Sequence, residues 1–389
     1  MSPQSKNEYV QKIFPRYRKA SREEKKTLLD RVCDFCGYHR KHAIRLLRKK
    51  NPKKLSRAPK PRGRKRSYDD PLLLRVLKDI WRAANLPCGK RLKAMLHLWL
   101  PHFEYEIPAA IEQKLTNISA ATIDRLLKPS RGKFHKRGLA TTKPGSLLKH
   151  YIPVKTNQWD ETVPGFLEAD TVAHCGGSMA GSFVFTVNAT DLATGWSEQR
   201  AVWGKGERDV LAAITSIEHM LPFKVRGFDC DNGTEFLNWH LEGYLQDRKR
   251  PIQFTRSRPY HKNDNAHIEN KNWTNVRQYL GYQRFDNPEL TAALNAFYTA
   301  EWRWFMNAFI PSVKLIEKKR VGSKIIKKYD APQTPLSRVL ASPHVSKMQK
   351  RRLKEQCQDL NPFQLQKTIS QQIKQILSLA QKNTATLEA

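Results

Sequence analysis

The sequence has no apolar run of the ~20 residues that a membrane-spanning helix needs, and its opening stretch, MSPQSKNEYV, lacks the apolar core of a secretory signal. Spanning and exported proteins are thereby set aside, and a soluble, cytoplasmic chain is expected. Cysteine is sparse. The six residues, at 33, 36, 88, 175, 230 and 357, follow no even-spaced framework, which argues against a disulfide scaffold and for reduced thiols. Acid is the scarcer charge. Asp and Glu number 36 against 70 Lys and Arg, a net charge of +34, so a polyanionic partner is expected, nucleic acid ahead of an anionic membrane surface. What is present is length: 389 residues allow two or three cores.

The charge is uneven along the chain. Residues 1–66 hold 23 Lys and Arg against 5 Asp and Glu, so a basic N-terminal arm is expected. Within it, SREEKKTLLDRVCDFC predicts a helix with Leu28, Leu29, Val32 and Cys36 on one face, opened by a Ser21/Glu24 capping box and stopped by Gly37. A second helix follows, with Ala43, Ile44, Leu46 and Leu47 inward and basic residues outward. The pair fits a helix-turn-helix over 1–50, and a structural hairpin with a solvated basic face is the plainer alternative. Cys33, Cys36, His39 and His42 are zinc-ligand types, but far less chain separates the two pairs than in a zinc finger. They are therefore read as parts of these two helices.

Residues 51–67 read as an extended basic linker, because they are rich in Pro, Lys and Arg and poor in apolar residues. The centre, PKPRGRKR, resembles the AT-hook, which implies that Arg62 and Arg64 reach into a narrow A·T minor groove beside Gly63. A solvated linker is the other reading. Helical periodicity resumes over 68–135, a second candidate DNA-binding domain. Its last part resembles a recognition helix, capped by Ser119, with Lys128, Arg131 and Lys133 available to phosphates. A linker is expected over 136–159.

From about 160 the pattern changes to short β-branched and aromatic runs. Strands are predicted in GFLEADTVAH, SFVFTVNATD, WSEQRAVW, KVRGFDCD and IQFTRSR. Helices are predicted in ERDVLAAITSIEHML, TEFLNWHLEGYLQ and AHIENKNWTNVRQYL. Three leading strands, then alternating helix and strand, describe an α/β sheet over 160–310 with helices on both faces. Beyond it, residues 311–389 predict a basic β-hairpin around Val321-Gly322-Ser323 and two helices broken at Asn361-Pro362-Phe363. The last of these carries Leu365, Ile369, Ile373 and Leu377 on one stripe, to pack on the core or on another subunit.

Period-2 geometry puts Glu168 and Asp170 on one face of the first strand, and Asp229 and Asp231 on one face of the fourth. Facing alone does not separate the members of either pair. Depth does: Asp231 is the last strand residue before Asn232-Gly233, at the carboxyl edge where α/β sheets build their sites. In chain order EADTVAH, CDNGTEF and RPYHKNDNAHIENKNWTNVR resemble the catalytic core shared by retroviral-type integrases and DDE transposases. The segment after the core is similar to that of some bacterial insertion-sequence transposases.

The resemblance implies a ribonuclease H-like fold and a metal-holding acid triad of Asp170, Asp231 and Glu269, the last two 38 residues apart. It also implies two Mg2+ ions, with Mn2+ as a substitute, and a homo-oligomer acting on double-stranded DNA at element ends and target. A transposase is the function expected. A retroelement or viral integrase, or a non-catalytic regulator derived from a transposase, are the alternatives. Lys262, Lys271 and Arg277 are expected near phosphates, and Asn232, Asn265 and Asn272 in support, with Asn265, Glu269, Asn272 and Trp273 on one helix side. Glu235 is given a capping or supporting role. His174, Cys175, Cys230, Trp302 and Trp304 are read as structural.

Overall fold

The computed structural model describes residues 2–48, 67–131, 161–231, 233–256, 268 and 271–387. They fall into two compact units, Met1–Ser67 and Tyr68–Ala389. The first holds three helices, α1 (Pro3–Lys19), α2 (Arg22–Cys36) and α3 (Arg40–Leu47). The capping box at Ser21 is formed, the Glu24 amide donating to Ser21 Oγ at 3.3 Å and the Ser21 amide to Glu24 Oε2 at 2.8 Å. Gly37 ends α2 in the left-handed conformation, φ 62°. Helix α1 is an addition to the expected basic arm: Val10, Ile13 and Phe14, at helical spacing, close a small core with Leu29, Val32, Cys36, Ala43, Leu46 and Leu47. Ile44, expected inward, is half-buried, as is Cys33.

The second unit opens with α4 (Pro71–Ala83), α5 (Gly89–Trp99), α6 (Ala109–Asn117) and α7 (Ala120–Arg131). Ser119 caps α7 through the Thr122 amide at 3.1 Å. A five-stranded sheet follows: β1 (Phe166–Ala173), β2 (Val184–Asp191), β3 (Ser197–Trp203), β4 (Gly227–Cys230) and β5 (Gln253–Arg256), in the order β3-β2-β1-β4-β5. Only β2 runs against the others. Helix α8 (Glu207–Met220) joins β3 to β4, and α9 (Trp239–Gln246) joins β4 to β5. This is the mixed α/β sheet that the strand and helix runs predict. Two elements are shorter than expected: β4 is four residues long, and α9 begins at Trp239 behind its cap Asn238, leaving 234–237 to a turn.

After the sheet a π-helical turn, Asn272–Arg277, leads through Gln278–Leu280 to the helix Glu289–Phe297. Two more π-helical segments follow, Tyr298–Trp302 and Phe305–Phe309. The basic hairpin is present as β6 (Leu315–Val321) and β7 (Lys324–Tyr329), turning at Gly322. Helices Pro335–Ala341, Lys347–Cys357 and Pro362–Leu387 close the chain. The last lays Leu365, Ile369, Ile376 and Ala380 on the core, and Ile373 and Leu377 at its margin.

Helices α4–α7, expected as a domain of their own, share this core with the sheet. Trp99 Nε1 donates to the Phe309 carbonyl at 3.3 Å, Arg91 Nε to that of Pro311 at 2.7 Å, and Gln278 Nε2 to that of Asn85 at 3.0 Å. Gly89 marks the tightest join within the helical block. Its amide donates to Asp124 Oδ1 at 2.8 Å, and a Cβ there would lie 2.4 Å from the Ala120 carbonyl oxygen. Gly89→Ala is therefore expected to destabilise the unit by about 1–3 kcal/mol, read as a lower urea midpoint with an unchanged slope.

Candidate active site at the carboxyl edge of the sheet

Asp170 lies in β1 opposite Asn188 of β2, which lies opposite Gln199 of β3. On its other side β1 runs parallel to β4, with Glu168 beside Asp229 and Ala169 beside Cys230, so Asp231, the next residue, falls alongside Asp170. Both carboxylates are half-buried. The backbone fixes Asp231: the Gly233 amide donates to its Oδ1 at 2.9 Å. Gly233 also keeps the turn narrow, because a Cβ there would stand 2.6 Å from Glu235 Oε2 and 2.9 Å from Asp231 Oδ1.

Glu235 is drawn into the site more deeply than a cap would be. It is buried, and its Oε1 accepts from Thr171 Oγ1 at 3.0 Å and from Lys205 Nζ at 2.5 Å. The proximity of these acids is felt in their protonation. Burial, and then the charge of Asp231, push the Asp170 carboxyl up to about 7. Burial, and then Glu235, raise Asp231. Among the described residues no three His, Cys, Asp or Glu side chains form a ready-made metal cluster. The donor set nevertheless fits a hard divalent cation, since two neighbouring carboxylates whose ionisation burial opposes at a partly buried edge lack the positive charge that such an ion supplies.

Asn272, expected in support, lies against Asp170: its Nδ2 donates to Asp170 Oδ2 at 2.6 Å, while Trp273, its neighbour, is exposed. Successive helical residues diverge, so the two do not share a face. Lys271 turns to the Gly195 carbonyl, which its Nζ meets at 3.1 Å, and burial pulls its pKa down to about 7. Arg277 donates to the Ala173 carbonyl at 2.5 Å and covers the Tyr282 ring. Arg131 pairs with Asp124 at 2.6 Å, whereas Lys128 is exposed on α7. Glu269, Asn232, Asn265, Lys262, Lys133, Arg62 and Arg64 lie outside the described residues. The sequence reading missed Thr171, Lys205, Asn188 and Gln199. Only strand register could have signalled the last two.

His174 closes the buried side of β1. Its Nε2 lies 2.9 Å from Thr186 Oγ1, its ring stacks on Phe285, and burial, then Arg277, hold its pKa down to about 3. The folded pKa lies below the ordinary 6.5, so the unfolded chain takes up a proton that the fold refuses. Stability present above pH 6.5 is lost as pH falls toward 3. His174→Phe is expected to flatten the acid limb of a plot of urea midpoint against pH over that window.

No family model matches the chain. The uncharacterized protein y4rM of Sinorhizobium fredii is 37% identical over 348 residues, 87% of this chain and 96% of that protein. The chain belongs to the y4rM family. Two solved structures are similar over part of the chain. The catalytic core domain of BIV integrase is 16% identical with a TM-score of 0.27, covering 44% of this chain and 91% of its own. The HTLV-2 integrase catalytic core domain in complex with magnesium is 14% identical with a TM-score of 0.28, covering 39% and 91%. At such scores the strand order above, and not these neighbours, describes the fold of this family member.

Proposed function

We propose that the chain is a DDE-type transposase of the insertion-sequence kind. It binds the ends of its mobile element and cuts and joins DNA strands with a divalent cation, Mg2+ or Mn2+. The observation that carries this reading is the juxtaposition of Asp170 in β1 with Asp231, the residue just past the parallel strand β4, at the carboxyl edge of a mixed sheet. Asp170, Asp231 and, by its match in sequence, Glu269 would hold the ions, which when bound supply a Lewis acid to the attacking and leaving oxygens.

The remaining residues prepare that edge. Asp170 accepts one N–H on each oxygen, from Asn272 and from the Thr171 amide at 2.7 Å, so its rotamer is fixed and each oxygen keeps a lone pair. Lys205 offsets the charge of Glu235, so the charge left facing the ions is that of the aspartates. DNA is held by the basic surplus, with Lys128 of α7, Arg62, Arg64 and Lys262 in contact with phosphates or the minor groove. Arg131, Lys271 and Arg277 are occupied by partners within the chain and shape the scaffold instead. Two element ends must be joined in one assembly, so a homo-oligomer is part of the reading.

A supercoiled plasmid carrying the gene with its flanking DNA tests it. Purified protein with Mg2+ should nick at the element ends, and a chelator should abolish nicking. Absence of nicking with both Mg2+ and Mn2+ would overturn the proposal.

A further inference from the structure

Four side chains behind Asp170, three of them buried, form an unbroken chain of hydrogen bonds that ends on its carboxylate. Trp302 Nε1 donates to Gln199 Oε1 at 3.0 Å, and Gln199 Nε2 to Asn188 Oδ1 at 2.9 Å. Asn188 Nδ2 donates to Asn272 Oδ1 at 2.8 Å, and Asn272 Nδ2 to Asp170 Oδ2 at 2.6 Å. Asp170, Asn188 and Gln199 form one row across three strands, so their side chains share a face. The two ends of the chain stand on π-helical turns, Asn272–Arg277 and Tyr298–Trp302. Such turns often accompany functional sites, because the wider turn re-aims a side chain. Trp302, Gln199 and Asn188 are all at most 1% exposed, so water does not compete for these bonds.

The direction of the chain is forced by its ends. An indole N–H can only donate, and an ionised carboxylate can only accept, whereas each amide between them carries both kinds of group. Trp302 turns the Gln199 carbonyl toward itself, which turns the Gln199 NH2 to Asn188, and so on until the Asn272 NH2 has no choice but Asp170. Flipping any one amide would set carbonyl against carbonyl on one side and N–H against N–H on the other. Buried chains of this type polarise along their length, and the shortening from 3.0 to 2.6 Å toward the carboxylate follows that pattern.

We infer that Trp302, Gln199 and Asn188 are positioning residues, which lock the Asn272 amide so that Asp170 presents its carboxylate in one orientation to a divalent cation. The inference rests on the reading of Asp170 as an ion ligand. None of the three touches the ion or the DNA. Each acts only through Asn272.

The test is Mn2+ binding to the full-length protein by calorimetry, with thermal melting alongside. Gln199→Met and Trp302→Phe keep the bulk of their side chains and each remove one link. Each should weaken Mn2+ binding by about tenfold or more, and each should have little further effect in an Asn272→Ala background, where the last link is already gone. A structural role would lower the melting temperature and leave the affinity of the folded protein alone. Wild-type affinity in both variants, or losses that add fully to that of Asn272→Ala, would overturn the relay while leaving the ion site standing. If the wild-type protein itself bound no Mn2+, the ligand reading of Asp170 would fall, and the relay's purpose with it.

Discussion

Asp231→Asn is expected to lower metal-dependent nicking by about 1000-fold, the scale of several kcal/mol of lost charge stabilisation. Asp229→Asn should cost far less activity and more stability. The two aspartates are two residues apart in the chain, but their surroundings differ. Asp229 is fully buried one pleat back, where its Oδ1 accepts from Thr255 Oγ1 at 2.5 Å between the paired strands. Asp231 stands past the last strand residue, half-buried, with the Gly233 amide donating to it and Asp170 beside it. A neutral amide at 231 keeps the turn but removes an anionic oxygen that the cation needs. At 229 the amide only exchanges an acceptor for a donor inside the sheet, which Thr255 can partly accommodate by rotating its hydroxyl. Nicking rates on the supercoiled plasmid, with melting temperatures for both variants, check the pair. Equal losses of activity, or the reverse order, would refute the division of roles.

Arg303→Leu carries the largest expected cost in stability. Glu198 is buried in β3, and its Oε1 accepts from Arg303 Nε at 2.6 Å and Trp196 Nε1 at 2.9 Å. Arg303 lies over the rings of Trp196 and Trp304 and donates to the Met220 carbonyl at 2.6 Å, tying β3 to the end of α8. Removing the guanidinium leaves a carboxylate in the core with Arg200 as its nearest cation, 3.7 Å away. The expected loss is about 3 kcal/mol, or a fall of about 4–6 °C in melting temperature for a unit of this size. Adding Glu198→Gln removes the stranded charge and should recover part of that loss. A melting temperature within about 2 °C of wild type in Arg303→Leu would mean that Arg200 suffices alone.

Much of the sheet was legible because strand patterns and turn residues agree: five predicted strand runs correspond to β1–β5. The choice of Asp170 and Asp231 is implied by the resemblance of EADTVAH and CDNGTEF to the integrase and transposase core, because periodicity alone separates neither from the acid two residues before it. What periodicity cannot carry is the third dimension. Asn188 and Gln199 look like ordinary polar positions until register sets them in one row with Asp170. Lys271 and Arg277 read as phosphate contacts because charge suggests solvent, yet both bend back onto carbonyls, which a string of letters does not reveal. Helices α1 and α6 were overlooked for another reason. Their apolar positions are few and lie among charges or small residues, so their amphipathic signal is weak.

The common core of α4–α7 and the sheet has a consequence for how the molecule measures. A recognition helix on a tether could reach a cut site at many distances. Held by Gly89, Trp99, Arg91 and Gln278, α7 instead stands at a set separation from Asp170 and Asp231. If α7 grips DNA, this unit is a ruler, and the interval between bound sequence and cut phosphate is written into its packing.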